Sequence, residues 1–357
     1  MHMKLKKLRR QIDVLDKEIV NLLNERAGLT LEIGAFKAKS KQSVYAPDRE
    51  KEIYDKLTLI NKGPLDTESL KPIYREIFSG ALSLQKPLKI AYLGPEFTFT
   101  HIAAMKKFGS SVKYVDCNSI TDVFDEVDKD RSDYGVVPIE NSTEGAITHT
   151  LDMLIDSELK ICSEIYLNIS HNLASKADGK GKIKRVYSKL EVFAQCRRWL
   201  ETNLPRVELI DVSSTAKAAQ LASKHNNSAA ISSYLAAARY NLKIIERSIE
   251  DSAYNVTRFL IIGKKTESKP TKLDKTSIMF SVKDRVGALH DILVPFKKFK
   301  INMTKIESRP SKRRAWEYYF FVDLEGHYHD IKLQKALREL KRNTNYLKIL
   351  GSYPSGV

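Results

Sequence analysis

In the stretch LLNERAGLTLEIGAFK (22–37), Leu22, Leu29, Ile33 and Phe36 fall on one side of a helix, and Arg26 falls on the same side. A guanidinium among leucines must find a partner or its burial costs several kcal/mol. Glu25 or Glu32 could pair it, or the side chain could reach water over its own methylenes. Other charges accompany it, however. Arg9 lies 17 residues earlier and Lys37 lies 11 later, both near the same face, and Arg49 and Glu50 open the next helical stretch. Four cations and one carboxylate around a helical core make a pocket for a ligand with two carboxylates. Arginine suits that task because its planar fork grips a carboxylate through two bonds.

A second group of candidates lies further along. VVPIENSTEGA sets Glu140 and Asn141 directly after an apolar strand, at its carboxyl end, where α/β sites are usually built. YNVTRFLIIG leads into another buried strand with Asn255, Thr257 and Arg258. Hydroxyl and small polar residues open several helical stretches: Thr98 and Thr100; Asn141, Ser142 and Thr143; Ser213, Ser214 and Thr215; Ser232 and Ser233. Each alone reads as an N-cap. Together they supply helix starts whose free N–H groups bind carboxylates without any lysine. That suits the stretch 87–264, which carries 23 basic and 22 acidic side chains. His101 beside Thr100 is of a type that titrates near neutrality, so it stands as a proton donor or as a structural residue at a helix start.

The elements that must hold these residues fall into three segments. In the first, 1–86, Leu5, Leu8, Ile12, Leu15, Ile19, Leu22, Arg26, Leu29, Ile33 and Phe36 alternate in steps of three and four. That seam predicts one helix of about 35 residues and roughly 50 Å. Such a helix cannot bury its stripe in an 85-residue monomer, so a second copy is expected against it, giving at least a dimer. A second helix starts at Pro47 and a third after Pro72. The second segment, 88–263, alternates short β-branched strands with helical stretches, which means an α/β domain with two lobes around a cleft. After the polar linker KKTESKPTKLDK, the third, 274–357, reads βαββαβ, a small ferredoxin-like α+β sandwich.

Bulk properties exclude several classes. The net charge is +16 and is concentrated in the last segment. Its densest cluster, SKRRAWEYYF, reads as a basic turn opening an apolar strand, and no nucleic-acid motif accompanies it, so small anions are the expected partners rather than nucleic acid. No apolar run is long enough to span a membrane. The N-terminal stretch lacks an apolar signal core, which points to the cytoplasm. Cys117, Cys162 and Cys196 are far apart without nearby histidines, so buried reduced thiols are expected and no metal site.

These motifs carry resemblances. LRRQIDVLDKEIVNLLNER, GAFKAKS and PDRE resemble the all-helical chorismate mutase family over most of residues 5–86. The resemblance implies a pericyclic rearrangement of chorismate to prephenate without a covalent intermediate or a cofactor. Arg9, reaching across a dimer, and Arg26 would bind carboxylates, Lys37 and Gln85 would donate to the ether oxygen, Glu50 would hold a hydroxyl, and Arg49 would support the site. Ala46 and Ala81 stand where some members have Asp and Ser. GPEFTFTH, PIENS, SSTA and N-x-TRF resemble the prephenate dehydratase family, which implies a two-lobed, periplasmic-binding-protein-like fold and loss of hydroxide and carbon dioxide from prephenate to give phenylpyruvate. Thr257 would then be the positioned proton donor, polarised by Arg258 and Asn255. Thr98, Thr100, His101, Glu140, Asn141, Ser142, Ser213, Ser214 and Thr215 would line the cleft. Phe97 stands where members usually have Gly, so it must accept an unusual backbone conformation. Lys189, Leu190 and Glu191 replace a frequent His, Pro and Gln.

GALH (287–290) and ESRP (307–310) resemble the ACT regulatory domain, which implies phenylalanine binding by Gly287, Ala288, Leu289, His290, Glu307, Ser308, Arg309 and Pro310, between two ACT domains. A glycine at 287 is otherwise a simple turn glycine. Joined in order, the three make the product of the first segment the substrate of the second. A ligand-binding clamshell without chemistry, a basic nucleic-acid-binding regulator, and a one-activity enzyme with a degenerate mutase are the competing readings.

Overall fold

A computed structural model describes residues 2–40, 42–265, 268–282, 285–310 and 318–356. The chain forms two compact units, Met1–Leu88 with Phe108–Lys113, and Lys89–Lys107 with Tyr114–Val357. Residues 311–317, most of the basic cluster, lie outside the described residues.

In the first unit the long seam yields one unbroken helix, α1 (His2–Lys39), of 38 residues and therefore about 57 Å. Proline at the first position starts α2 (Pro47–Ile60). The third helix, α3 (Thr67–Gln85), begins five residues before Pro72 rather than after it. The carboxylate of Asp66 accepts the Ser69 N–H at 2.6 Å and caps this earlier turn, which carries the helix through the proline. Gly34 lets α3 approach α1: a Cβ there would lie 2.7 Å from Gln85 Cγ. Tyr45, Leu57, Phe78 and Leu82 are buried, yet most of the α1 seam is open, with Ile12 and Leu15 both 55% exposed.

The second unit opens with β1 (Lys89–Leu93), α4 (Phe99–Phe108), β2 (Lys113–Cys117), α5 (Ile120–Asp128), β3 (Tyr134–Asn141), β4 (Gly145–Ala146), α6 (Thr148–Asp156) and β5 (Lys160–Asn168). It crosses to a second lobe of β6 (Asn172–Ser175), β7 (Arg185–Ser188), α7 (Leu190–Gln195), α8 (Arg197–Asn203), β8 (Glu208–Asp211), α9 (Thr215–Ala222), β9 (Ser228–Ser232), α10 (Tyr234–Arg239) and β10 (Lys243–Glu246), and returns as β11 (Val256–Gly263). The first sheet runs β2-β1-β3-β11-β5 with β4 on β3, and the second runs β10-β6-β9-β7-β8. Two lobes joined by two crossings are what the strand-helix alternation implied. The expected helix through EVFAQCRRWLETN divides at Cys196, because the Asp251 carboxylate accepts the N–H groups of Arg198 and Trp199 and starts α8 afresh.

The last part is the expected βαββαβ: β12 (Asp274–Ser281), α11 (Ala288–Lys298), β13 (Met303–Pro310), β14 (Tyr318–Glu325), α12 (Ile331–Asn343) and β15 (Tyr346–Pro354). Its antiparallel sheet runs β13-β14-β12-β15. One face packs Ile278, Phe280 and Val322 against Ile292, Phe296 and Leu337 of its helices. The other face places Met279, Phe321, Leu350 and Tyr353 in one core with Leu151, Leu154 and Ile161 of the first lobe. With both faces covered, every residue of β12 is buried, Asp274 and Lys275 included. All three cysteines are free and buried. No helix among the described residues is long and apolar enough to cross a membrane.

Candidate active sites

Arg26 is half-buried, with its guanidinium carbon 5.6 Å from the centre of the Phe78 ring. Among the described residues no carboxylate pairs with it, neither Glu25 nor Glu32, so its charge is unneutralised. Lys37 Nζ donates to Val44 O at 2.9 Å, and Arg49 forms an exposed ion pair with Glu52. Glu50 is half-buried in the first turn of α2. Gln85 packs on Gly34 near the same end of α1, and its buried Oε1 accepts no hydrogen bond. Arg9 is exposed. Seventeen residues of helix separate it from Arg26 by about 25 Å, too far for one small ligand to touch both within one chain.

In the second unit Thr257 and Asn141 are register partners on β11 and β3, so their side chains share a face. Asn141 Oδ1 accepts the N–H groups of Thr143 at 2.9 Å and Glu144 at 3.1 Å. That fixes the amide, and its Nδ2 donates to Thr257 Oγ1 and to Asn255 Oδ1, both at 2.8 Å. Asn255 Nδ2 donates in turn to Gln195 Oε1 at 2.9 Å, which also accepts from His171 Nε2 at 2.7 Å. Burial lowers the His171 pKa, and its Nδ1 is buried without a partner, so the ring is neutral with its proton on Nε2. Because the Thr257 oxygen accepts from Asn141, the hydroxyl proton is left to be donated elsewhere.

Gln195 and His171 were not among the sequence candidates. They meet from α7 and the first crossing, 24 residues apart, and the visible signals were the polar SHN between two strands and the Gln of FAQC. A cavity of about 460 Å³ opens beside Asn255, Gln195 and Glu144. Its acids are engaged: Glu144 accepts from Gln195, Glu250 from the His171 N–H, Asp251 caps α8, and Glu191 pairs with Lys189.

Two expected cleft residues face away. Glu140 and Arg258 neighbour Asn141 and Thr257, and side chains alternate along a strand, so all four cannot share one face. The Arg258 guanidinium bonds Glu164, Asp323 and Tyr353, and Glu140 lies 2.7 Å from Lys305 Nζ. Arg258 therefore does not polarise Thr257 directly.

Three of the four hydroxyl clusters sit at helix starts, those of α4, α9 and α10, but Asn141, Ser142 and Thr143 turn from β3 into β4 instead, and α6 begins only at Thr148. Thr98 Oγ1 donates to Leu93 O, and Ser214 accepts the Lys217 N–H at 3.0 Å. Thr100 and Thr215 are buried, and Ser213 is exposed. Ser142 braces the second crossing, donating to Tyr254 O at 2.7 Å and accepting from Val256 N–H. His101 stacks on Tyr92 at 4.5 Å and accepts the Phe97 N–H on Nδ1, while burial lowers its pKa. Its Nδ1 therefore carries no proton, and the ring packs at the start of α4. Phe97 has φ of 67°, the unusual conformation its glycine-like position demanded.

In the third segment Gly287 caps α11 with φ of 77° and open space around its α-carbon, so backbone conformation is what requires glycine there. Ala288, Leu289 and His290 form the first turn of α11, the first half-buried and the other two exposed. On β13, Ser308 and Pro310 point outward while Glu307 and Arg309 are half-buried. Arg309 is engaged by the first lobe rather than left for an effector: it grips Asp152 of α6 with bonds of 2.8 and 3.0 Å.

Family models match the chain in three places: Chorismate mutase type II over residues 8–86, Prephenate dehydratase over 90–267 and ACT domain over 276–342. The bifunctional chorismate mutase/prephenate dehydratase of Aquifex aeolicus is 51% identical over 99% of this chain and 98% of that one. The prephenate dehydratase of Methanocaldococcus jannaschii is 42% identical over 74% of this chain and 97% of its own length. A crystal structure of a prephenate dehydratase from Arthrobacter aurescens in complex with L-Phe superposes with a TM-score of 0.70 at 32% identity, covering 75% of this chain and 90% of that one. Identity of this extent through all three segments places the chain in the family of bifunctional chorismate mutase/prephenate dehydratases, with an ACT domain as its third part.

Proposed function

We propose that the first unit rearranges chorismate to prephenate and that the second dehydrates and decarboxylates prephenate to phenylpyruvate, under inhibition by phenylalanine at the ACT domain, in the cytoplasm. The observation that carries the reading is the hydroxyl of Thr257, oriented by Asn141 so that its proton is free to be given. As the ring carboxylate leaves as carbon dioxide, its bonding electrons enter the ring and the hydroxyl departs. A fixed O–H donor lowers the cost of the charge growing on that oxygen. Aromatisation supplies the driving force, so a weak acid in the right place suffices. The acidic lining of the neighbouring cavity repels a dianion, which leaves the starts of α4 and α9, with Thr98, Thr100, Ser213, Ser214 and Thr215, to receive its carboxylates.

In the first unit Arg26 would hold one carboxylate of chorismate, with Lys37 and Gln85 facing the ether oxygen and Glu50 a hydroxyl. The open seam of α1 and the distance from Arg9 to Arg26 support a dimer in which Arg9 comes from the other copy. Incubation with chorismate, followed by the absorbance of phenylpyruvate in alkali, tests the sequence of reactions. We expect prephenate to appear first and phenylpyruvate after it, with the second step slowed by phenylalanine. Prephenate left unchanged would instead favour a binding protein without chemistry.

A further inference from the structure

Adjacent residues of β11 leave the strand in opposite directions. Thr257 meets Asn141 on one face; Arg258 enters the other, where it is 5% exposed. There Arg258 Nε donates to Glu164 Oε2 at 2.7 Å, Nη1 to Asp323, and Nη2 to Tyr353 Oη at 3.1 Å. Lys275 Nζ donates to both Glu164 oxygens, at 2.7 and 3.0 Å, and to Tyr166 Oη at 3.1 Å. Ser277 Oγ donates to Asp323, and the Tyr353 hydroxyl donates to Ser277 at 2.7 Å. Glu164 and Tyr166 stand on β5 of the first lobe, whereas Lys275, Ser277, Asp323 and Tyr353 stand on β12, β14 and β15 of the ACT sheet.

The set holds two buried cations, Arg258 and Lys275, and two buried anions, Glu164 and Asp323, so its charges balance. Burial works against the Arg258 charge, but its acceptors outweigh that and hold the guanidinium firmly ionised. A fork held in three directions fixes its own backbone, and removal of a charged partner strands a buried charge. The next residue along that backbone is Thr257. Two of the three acceptors of Arg258 belong to the ACT sheet, and a close-packed interface transmits a shift instead of absorbing it. The same sheet reaches the lobe at further points, among them Lys305 on Glu140, Arg309 on Asp152 and Lys348 on the Ser157 carbonyl.

We propose that Arg258 is a positioning residue for the dehydration step, through which Asp323 and Tyr353 of the ACT sheet set where β11 holds the Thr257 hydroxyl. This rests on the dehydratase reading given above. A salt bridge that only held two domains together would stabilise them without setting a rate, and kinetics separate the two.

Arg258→Lys keeps the charge and loses the fork; Asp323→Asn keeps the shape and loses the charge on the ACT side. We expect each to lower kcat for prephenate about tenfold while KM stays within about twofold, because neither side chain touches substrate. Chorismate turnover by the same proteins stays at the parental rate. The double variant should be no slower than the slower single one, since one contact is lost in both. The half-inhibitory phenylalanine concentration should rise several-fold in each.

A raised KM at unchanged kcat would make Arg258 a substrate ligand and overturn the proposal. So would unchanged kcat in both variants, losses that multiply in the double variant, or phenylalanine inhibition of Asp323→Asn at the parental concentration. Where Arg258→Lys does not fold, Tyr353→Phe deletes a single oxygen, and kcat should fall about two- to threefold at constant KM; no fall would count equally against the proposal. A parent chain without prephenate turnover would overturn the dehydratase reading itself, whereas an active parent with insensitive variants overturns this inference alone.

Discussion

The Thr143 and Glu144 N–H groups grip the Asn141 oxygen, so its nitrogen faces Thr257, and the direction of that one amide decides what the hydroxyl can do. Phe97 shows a comparable dependence on backbone geometry. Its φ of 67° is costly for a residue with a side chain, and three contacts hold it there. The N–H donates to His101, the carbonyl accepts from Ser233 of the second lobe, and the ring packs on the alanine-rich cluster around Ala216 and Ala219, 5.8 Å from the Arg239 guanidinium. Phe97→Gly removes the ring and the strain, whereas Phe97→Ala removes the ring alone. We therefore expect Phe97→Gly to be the more stable of the two by about 1 kcal/mol in urea unfolding. Equal stabilities would mean that no strain is stored there. At this scale the motifs singled out Asn141 and Thr257, which the structure brings into contact, and the conformation of Phe97. They misplaced Glu140 and Arg258 because a motif is contiguous, and strand geometry sends its neighbours to opposite faces.

Among the elements, α1 was the most legible, because ten seam positions in steps of three and four admit only a helix. The strands β2, β6 and β10, of four or five residues each, carried too little pattern to be read, and β6 and β10 pair at the edge of the second sheet. Pro72 misled for a local reason, the cap at Asp66. The open seam and the separation of Arg9 from Arg26 have a joint consequence. If each mutase site takes Arg26 from one copy and Arg9 from the other, Arg9→Ala and Arg26→Ala chains are each inactive alone. Mixed after unfolding and refolding together, they should recover about a quarter of the parental mutase rate, because half the dimers are mixed and hold one intact site of two. No recovery would place both arginines in the site of a single chain, or one of them outside it.

Over the whole molecule, two sites with unlike demands share one chain. The mutase cluster offers cations without a nucleophile, suited to holding a dianion in its reactive shape, and the dehydratase face offers one oriented hydroxyl among amides. The ACT sheet lends one face to its own helices and the other to the first lobe, so the third segment is built into the dehydratase core. The order of the segments was readable because each has its own period, but the shared core was not, since the face of β12 turned to the lobe carries Lys275, Ser277, Met279 and Ser281 and does not read as apolar. The most direct measurement is the fate of chorismate with Thr257→Ala. We expect chorismate to be consumed at the parental rate and prephenate to accumulate, with phenylpyruvate formation reduced by at least about a hundredfold. Continued formation of phenylpyruvate at the parental rate would contradict the assignment of Thr257 as the proton donor.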